Sequence, residues 1–192
     1  MREGLYPLKF MPQYKERIWG GDNLKKVLGK DVPAGMARCG ESWEISSVED
    51  SVSEVANGYL AGNTLEELIE VYMGDLVGDS IYEKFGVEFP LLIKLIDAQD
   101  VLSIQVHPDD EYAEKNHHAY GKTEMWYVIS AEENSEIITG FKKDVTREEY
   151  LQSLSNGNLK NLLNVEEAKV GDVYYIPAGR VHAIGKGVLL AE

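Results

Sequence analysis

The stretch Gly171-Asp-Val-Tyr-Tyr-Ile-Pro-Ala-Gly-Arg-Val-His182 decides how the rest of the chain is read. It contains a glycine turn, a short β-branched and aromatic strand, a Pro177-x-Gly179 turn, and a histidine three residues after the last glycine. Gly179 permits a positive φ and a tight reversal, which can aim His182 inward. Taken alone, a histidine after such a turn is more often a surface residue. Strand texture recurs on both sides of this stretch. Residues 89–96 form a nearly continuous apolar run, residues 101–107 alternate, and residues 124–129, 137–141 and 188–190 read as further strands. Two capping boxes, Thr64-Leu-Glu-Glu67 and Thr146-Arg-Glu-Glu149, open helices. The second helix carries Tyr150, Leu151 and Leu154 as its apolar stripe, breaks at Asn156-Gly157-Asn158, and resumes over residues 159–163. The first forty residues read as irregular, with turns at Gly20-Gly21, Pro33 and Gly35. A mostly antiparallel β domain with a helical insertion follows, as a β-sandwich or a small barrel.

Polar rows on two of these strands suggest chemistry. With a period of two, Ser103, Gln105 and His107 share one face, and Leu102, Ile104 and Val106 the other. The polar row either faces water or lines a cavity. In Gly121-Lys-Thr-Glu-Met-Trp-Tyr-Val128, the residues Lys122, Glu124, Trp126 and Val128 share a face. A carboxylate among such apolar neighbours needs a cation or a donor. Lys122 can serve that need, or both can lie exposed at the strand mouth. Together Gln105, His107, Glu124 and His182 offer one amide oxygen, two imidazoles and one carboxylate. That set suits Zn²⁺, or alternatively Mn²⁺, Co²⁺ or Fe²⁺. The lack of thiolates favours a catalytic metal with an open position.

Composition narrows the class. The chain has 192 residues, with 19 Lys and Arg against 33 Asp and Glu, for a formal charge of −14. No basic stripe is present for a phosphate backbone or an anionic membrane surface. No apolar run approaches the roughly 20 residues needed to span a bilayer, and residues 1–10 lack a secretory apolar core. Cys39 is the only cysteine, which fits a reducing compartment, so a cytoplasmic protein is expected.

The spacing Gly171-x₅-Pro177-x-Gly179-x₂-His182 resembles the second motif of the cupin superfamily, and Gln105-x-His107 with Lys122-x-Glu124 resembles the first as found in type I mannose-6-phosphate isomerases. Ile18-Trp-Gly-Gly21, Gly40-Glu-Ser-Trp-Glu-Ile-Ser46, Phe89-Pro-Leu-Leu-Ile-Lys94, Gln105-Val-His-Pro-Asp-Asp110 and Gly121-Lys-Thr-Glu-Met-Trp-Tyr127 are similar, in order, to the bacterial short form of that family.

The resemblance implies a mainly β, cupin-type jelly-roll barrel formed by a single domain over residues 1–192. Residues 1–88 would pack on the barrel, and residues 89–192 would form the cupin core with a helical insertion at about 145–164. It implies one Zn²⁺ per chain, held by Gln105, His107, Glu124 and His182. The implied reaction is reversible aldose–ketose isomerisation of mannose 6-phosphate and fructose 6-phosphate through a cis-enediol. Lys122 would bind substrate or handle the proton, and Ser103, Lys94 and Glu41 would contact the phosphorylated hexose. Trp43 would either line the pocket or pack against the barrel. In the family the chain continues beyond the point matched by Glu192, so a barrel truncated on its C-terminal side, and a homodimer through the unfinished edge, are expected. Two rival readings are a non-catalytic, metal-containing sugar-phosphate binder and a different cupin enzyme.

Overall fold

The computed structural model describes residues 4–192; Met1, Arg2 and Glu3, part of the expected N-terminal segment, lie outside the described residues. Nine strands and six α-helices follow one another as β1 (Gln13–Gly21), α1 (Asn23–Lys26), β2 (Cys39–Ile45), α2 (Leu65–Tyr72), α3 (Gly74–Val77), α4 (Asp79–Phe85), β3 (Ile93–Ala98), α5 (Asp110–His117), β4 (Glu124–Ala131), β5 (Glu136–Phe141), α6 (Arg147–Ser155), β6 (Leu163–Glu167), β7 (Val173–Ile176), β8 (His182–Ile184) and β9 (Val188–Ala191) among the described residues. A six-stranded sheet in the order β1-β2-β3-β9-β4-β7 faces a three-stranded sheet in the order β6-β5-β8, and every pairing is antiparallel. This is a cupin-type jelly roll with its helices outside the sheets.

The register of the large sheet sets what faces the barrel interior. One row across the strands pairs Lys15, Glu41, Ile96, Leu190 and Val128. The next pairs Gln13, Trp43 and Lys94, and on neighbouring strands Trp126 and Tyr174. Ile96, Trp126, Val128 and Leu190 meet Ile137 and Ile184 of the small sheet in one buried core. Alternate residues face outward, where Leu95 and Leu189 are covered by Leu24, Leu28, Val32 and Met36. The interior is therefore apolar at one end and charged at the other.

Both capping boxes form as expected, Thr64 with Glu67 and Thr146 with Glu149. Four expectations need correction. The first forty residues are not wholly irregular, since β1 and α1 fall among them, and β1 and β2, within the segment expected to pack on the barrel, are two of the sheet's own strands. Gln13–Gly21 alternates, but Lys15 and Arg17 face Glu41 inside, so its hydrophobic pattern is blank. Residues 101–107 form no regular strand. They run alongside β8 through Leu102 N–H to Ile184 O (2.9 Å) and reciprocal bonds between Gln105 and His182 (2.9 and 3.0 Å). At that edge Ile104 and Val106 stay exposed. The resumed helix over residues 159–163 forms as a 3₁₀ turn over Leu159–Leu162, and only its last residue departs: Leu163 opens strand β6, packing in the small sheet's outer core beside Ile138 and Ala183. Finally, α6 turns Ser153 inward and leaves Leu151 and Leu154 exposed; the Ser153 hydroxyl donates to Asn158 Oδ1 at 2.6 Å.

Candidate metal centre

Two local devices bring the histidines to the barrel interior. Gly179 has φ +81°, and its N–H donates to His107 O at 2.8 Å, which ties the Pro-Gly turn to the His107 loop. His182 is fully buried, with Nδ1 2.7 Å from the Arg180 carbonyl. A carbonyl only accepts, so Nδ1 carries the proton and Nε2 presents its lone pair inward. On the other side, Gly121 lies so close to the 108–110 loop that a Cβ would meet Asp109 C at 2.4 Å and Asp110 N at 2.5 Å. Gly121 N–H donates to Asp110 Oδ1 (2.9 Å) and Lys122 N–H to Pro108 O (3.0 Å). The acids of His-Pro-Asp-Asp thus position loops: Asp109 also caps α5 through Tyr112 N–H at 2.9 Å.

Glu124 opens β4 opposite these histidines. Its Oε1 is 3.1 Å from His107 Nε2, and its Oε2 is 3.5 Å from His182 Nε2. The donor atoms of the three residues lie within 4.8 Å of one another, and the imidazole centroids are 4.9 Å apart. His107 Nε2, His182 Nε2 and both Glu124 oxygens are buried without a well-formed hydrogen bond. Lone pairs turned on one another in a dry site are costly unless a cation sits between them. The donor set and its convergence fit a divalent ion such as zinc. The Gln105 backbone is held against His182, while its side chain is exposed.

Lys122 also reaches Glu124 Oε1 and lies 3.5 Å from Glu192 Oε1. Burial works against the Glu124 charge, but Lys122, His107 and His182 outweigh it and hold the carboxyl below its ordinary value. Burial likewise opposes the Lys122 charge, yet Glu192 and Glu124 overcome it and raise the ammonium above its usual range. Burial and the nearby Lys122 lower His107, so its imidazole favours the neutral, ligating form.

Glu192 was not among the sequence-derived candidates. Its carboxylate joins Lys94 Nζ (2.8 Å), Lys122 Nζ and Trp126 Nε1–H (3.1 Å). The signal was available: Val188, Leu190 and Glu192 alternate, which places an acid on the core face as it does for Glu124. Lys94 is thus brought into the site. Glu41 lies one strand further on and accepts from Arg17 Nε and Nη2, both at 3.1 Å, and from Trp43 Nε1 at 2.7 Å. Trp43 consequently faces the interior beside Lys94. Ser103 is exposed near the rim, whereas His117 and His118 lie outside the site at the end of α5. Arg180 contributes its carbonyl to His182, and its guanidinium turns away to Tyr175 O at 3.0 Å.

The family profile of the phosphomannose isomerase type I catalytic domain matches residues 7–142. The chain belongs to this family. It is 44% identical over 186 residues to a mannose-6-phosphate isomerase of Streptococcus mutans, covering 97% of this chain and 56% of the relative. It is 43% identical over 190 residues to mannose-6-phosphate isomerase ManA of Bacillus subtilis, covering 97% and 56%. The crystal structure of the mannose 6-phosphate isomerase from Bacillus subtilis superposes with a TM-score of 0.85 at 39% identity, covering 97% of this chain and 57% of that one. The chain therefore spans just over half the length of these relatives. No helix among the described residues is long and apolar enough to cross a membrane.

Proposed function

We propose that this phosphomannose isomerase-family chain catalyses the zinc-dependent, reversible isomerisation of mannose 6-phosphate and fructose 6-phosphate. The observation that carries the reading is the convergence of buried ligand-type atoms from His107, Glu124 and His182 beside two lysines and Glu192. One Zn²⁺ per chain would be held by these three residues, with Gln105 as the fourth ligand. A divalent ion held by these residues would supply Lewis-acid polarisation of the sugar carbonyl.

The remaining chemistry falls to side chains. Isomerisation moves a proton between C1 and C2 through a cis-enediol, and negative charge develops on the sugar oxygens. Lys122, held as an ammonium by Glu192 and Glu124, is placed to donate a hydrogen bond to that charge or to pass the proton. Lys94 and Ser103 contact the phosphorylated end. Glu41 fixes Trp43 as part of the pocket wall and offers its remaining lone pairs to sugar hydroxyls. The single cysteine supports a cytoplasmic setting. The expected second copy at an open sheet edge is read by sedimentation equilibrium.

The test is to load the protein with zinc and assay conversion of mannose 6-phosphate to fructose 6-phosphate, with His107→Ala as the control. Turnover lost in the control is the expected outcome. Stoichiometric zinc without turnover would leave a sugar-phosphate-binding cupin, and no zinc uptake would remove the metal reading altogether.

A further inference from the structure

We infer that Lys15, on β1, is a substrate-binding residue that takes up the phosphoryl group at the end of the pocket away from the metal ligands. The inference deepens the isomerase reading and rests on it only for the identity of the molecule carrying the phosphate. It begins with charge pairing inside the barrel. Lys94 is tied to Glu192, Lys122 to Glu124 and Glu192, and Arg17 to Glu41. Lys15 shares the inner face with Glu41, yet its Nζ touches only neutral groups: Ser51 Oγ at 2.9 Å and Gln13 Oε1 at 3.4 Å. Among the described residues it is the interior-facing lysine without a carboxylate partner.

Its placement suits an anion. Nζ lies 4.6 Å from the centroid of the Trp43 ring, and that ring is fixed by its own bond to Glu41. Trp43 in turn sits directly opposite Lys94 in the sheet register. Lys15 lies opposite Glu41 and Lys94 opposite Trp43, so the two lysines are two strands apart and one row offset on the same inner face, roughly 12 Å at the backbone. A phosphoryl dianion between them would meet one lysine whose charge Glu192 already balances and one whose charge is unspent. Taking up Lys15 breaks hydrogen bonds to neutral partners and no ion pair, so little is lost against the charge-assisted bond gained. Glu124, which opens β4 and pairs with Ile176 rather than with the Lys15 or Lys94 rows, lies on the far side of β9 and β3 from this point, so the phosphate end and the reacting end of the sugar lie toward opposite sides of the sheet.

The experiment compares Lys15→Met, which keeps an unbranched stem over Trp43, and Lys15→Arg with the wild type. The readouts are kcat and KM for mannose 6-phosphate, competitive inhibition by inorganic phosphate, and calorimetric binding of inorganic phosphate. Lys15→Met is expected to raise KM and weaken phosphate binding by about tenfold each, with kcat within about twofold; Lys15→Arg restores most of the loss. KM and phosphate binding both unchanged in Lys15→Met would overturn the inference. Weakened phosphate binding with KM unchanged would assign Lys15 to free anions and overturn its substrate role. A fall in kcat with KM unchanged, or a loss that Lys15→Arg does not restore, would overturn it as well. Should the wild type not turn over, calorimetry still decides: tenfold weaker phosphate binding in Lys15→Met upholds the anion contact while the isomerase reading falls, and unaltered or absent phosphate binding overturns the contact.

Discussion

Glu124 Oε2 and His182 Nε2 lie 3.5 Å apart although Glu124 belongs to the six-stranded sheet and His182 to the three-stranded sheet. His107 reaches the same point from the loop that follows the β8-paired segment. The candidate metal site is therefore also a junction between the two halves of the barrel. An ion bound there would crosslink the sheets and offset the cost of gathering the lone pairs of two imidazoles and a carboxylate in a buried site.

Zinc should accordingly stabilise the fold. At a free concentration one hundred times Kd, binding adds about 2.7 kcal/mol, which a thermal melt reads as an upward shift of several degrees reversed by chelator. Glu124→Gln should remove most of that shift, because an amide is a far weaker zinc ligand. Saturating zinc with an unmoved melting temperature would contradict the crosslink.

Glu192 balances two lysines at once, and Trp126 holds it in place. Glu192→Gln leaves Lys94 and Lys122 close together without that counter-charge. On the isomerase reading, kcat/KM should fall by about ten- to a hundredfold, and the alkaline limb of the pH–rate profile should move to lower pH as the Lys122 ammonium loses support. An unmoved alkaline limb would separate Glu192 from Lys122.

Asp97 is fully buried and accepts from Asn23 N–H at 2.7 Å and Asn23 Nδ2 at 3.1 Å. Burial raises its carboxyl above the usual value of 3.8, and the Asn23 bonds offset this only in part. The folded state thus binds this proton more tightly than the unfolded chain does. Its contribution to stability is complete below about 3.8 and is lost as pH rises through the folded value. Asp97→Asn should gain stability relative to the wild type between pH 4 and pH 7. Urea midpoints of both proteins at the two pH values check this, and a constant difference would refute it.

Gly121 has the 108–110 backbone where a side chain would go. Gly121→Ala should cost about 1–3 kcal/mol in chemical unfolding and displace Lys122 from Glu124. Unchanged stability would mean that the loop yields at no cost.

Much of the site was legible because it sits on recognisable spacings. Glu124 betrayed itself as a carboxylate in a row with Trp126 and Val128, and Gly179 announced the turn that buries His182. The capping boxes at Thr64 and Thr146 located two helices through chemistry confined to four residues. Strand β1 was illegible for the opposite reason. Its inward residues are Lys15 and Arg17, whose partners Ser51, Trp43 and Glu41 come from other parts of the chain. Hydrophobic periodicity carries no trace of a strand whose inner face is charged.

The sequence by itself determined the β class, the turn that delivers His182, and the donor types available to a metal, since these depend on backbone freedom and side-chain chemistry within short windows. Only the tertiary structure decided which charges meet. Glu192 settles between Lys94 and Lys122 because β9 inserts between β3 and β4, a neighbour relation set by sheet order across long stretches of chain. Lys15 is left free of a carboxylate by that same arrangement, in which Arg17 and Trp43 occupy both oxygens of Glu41.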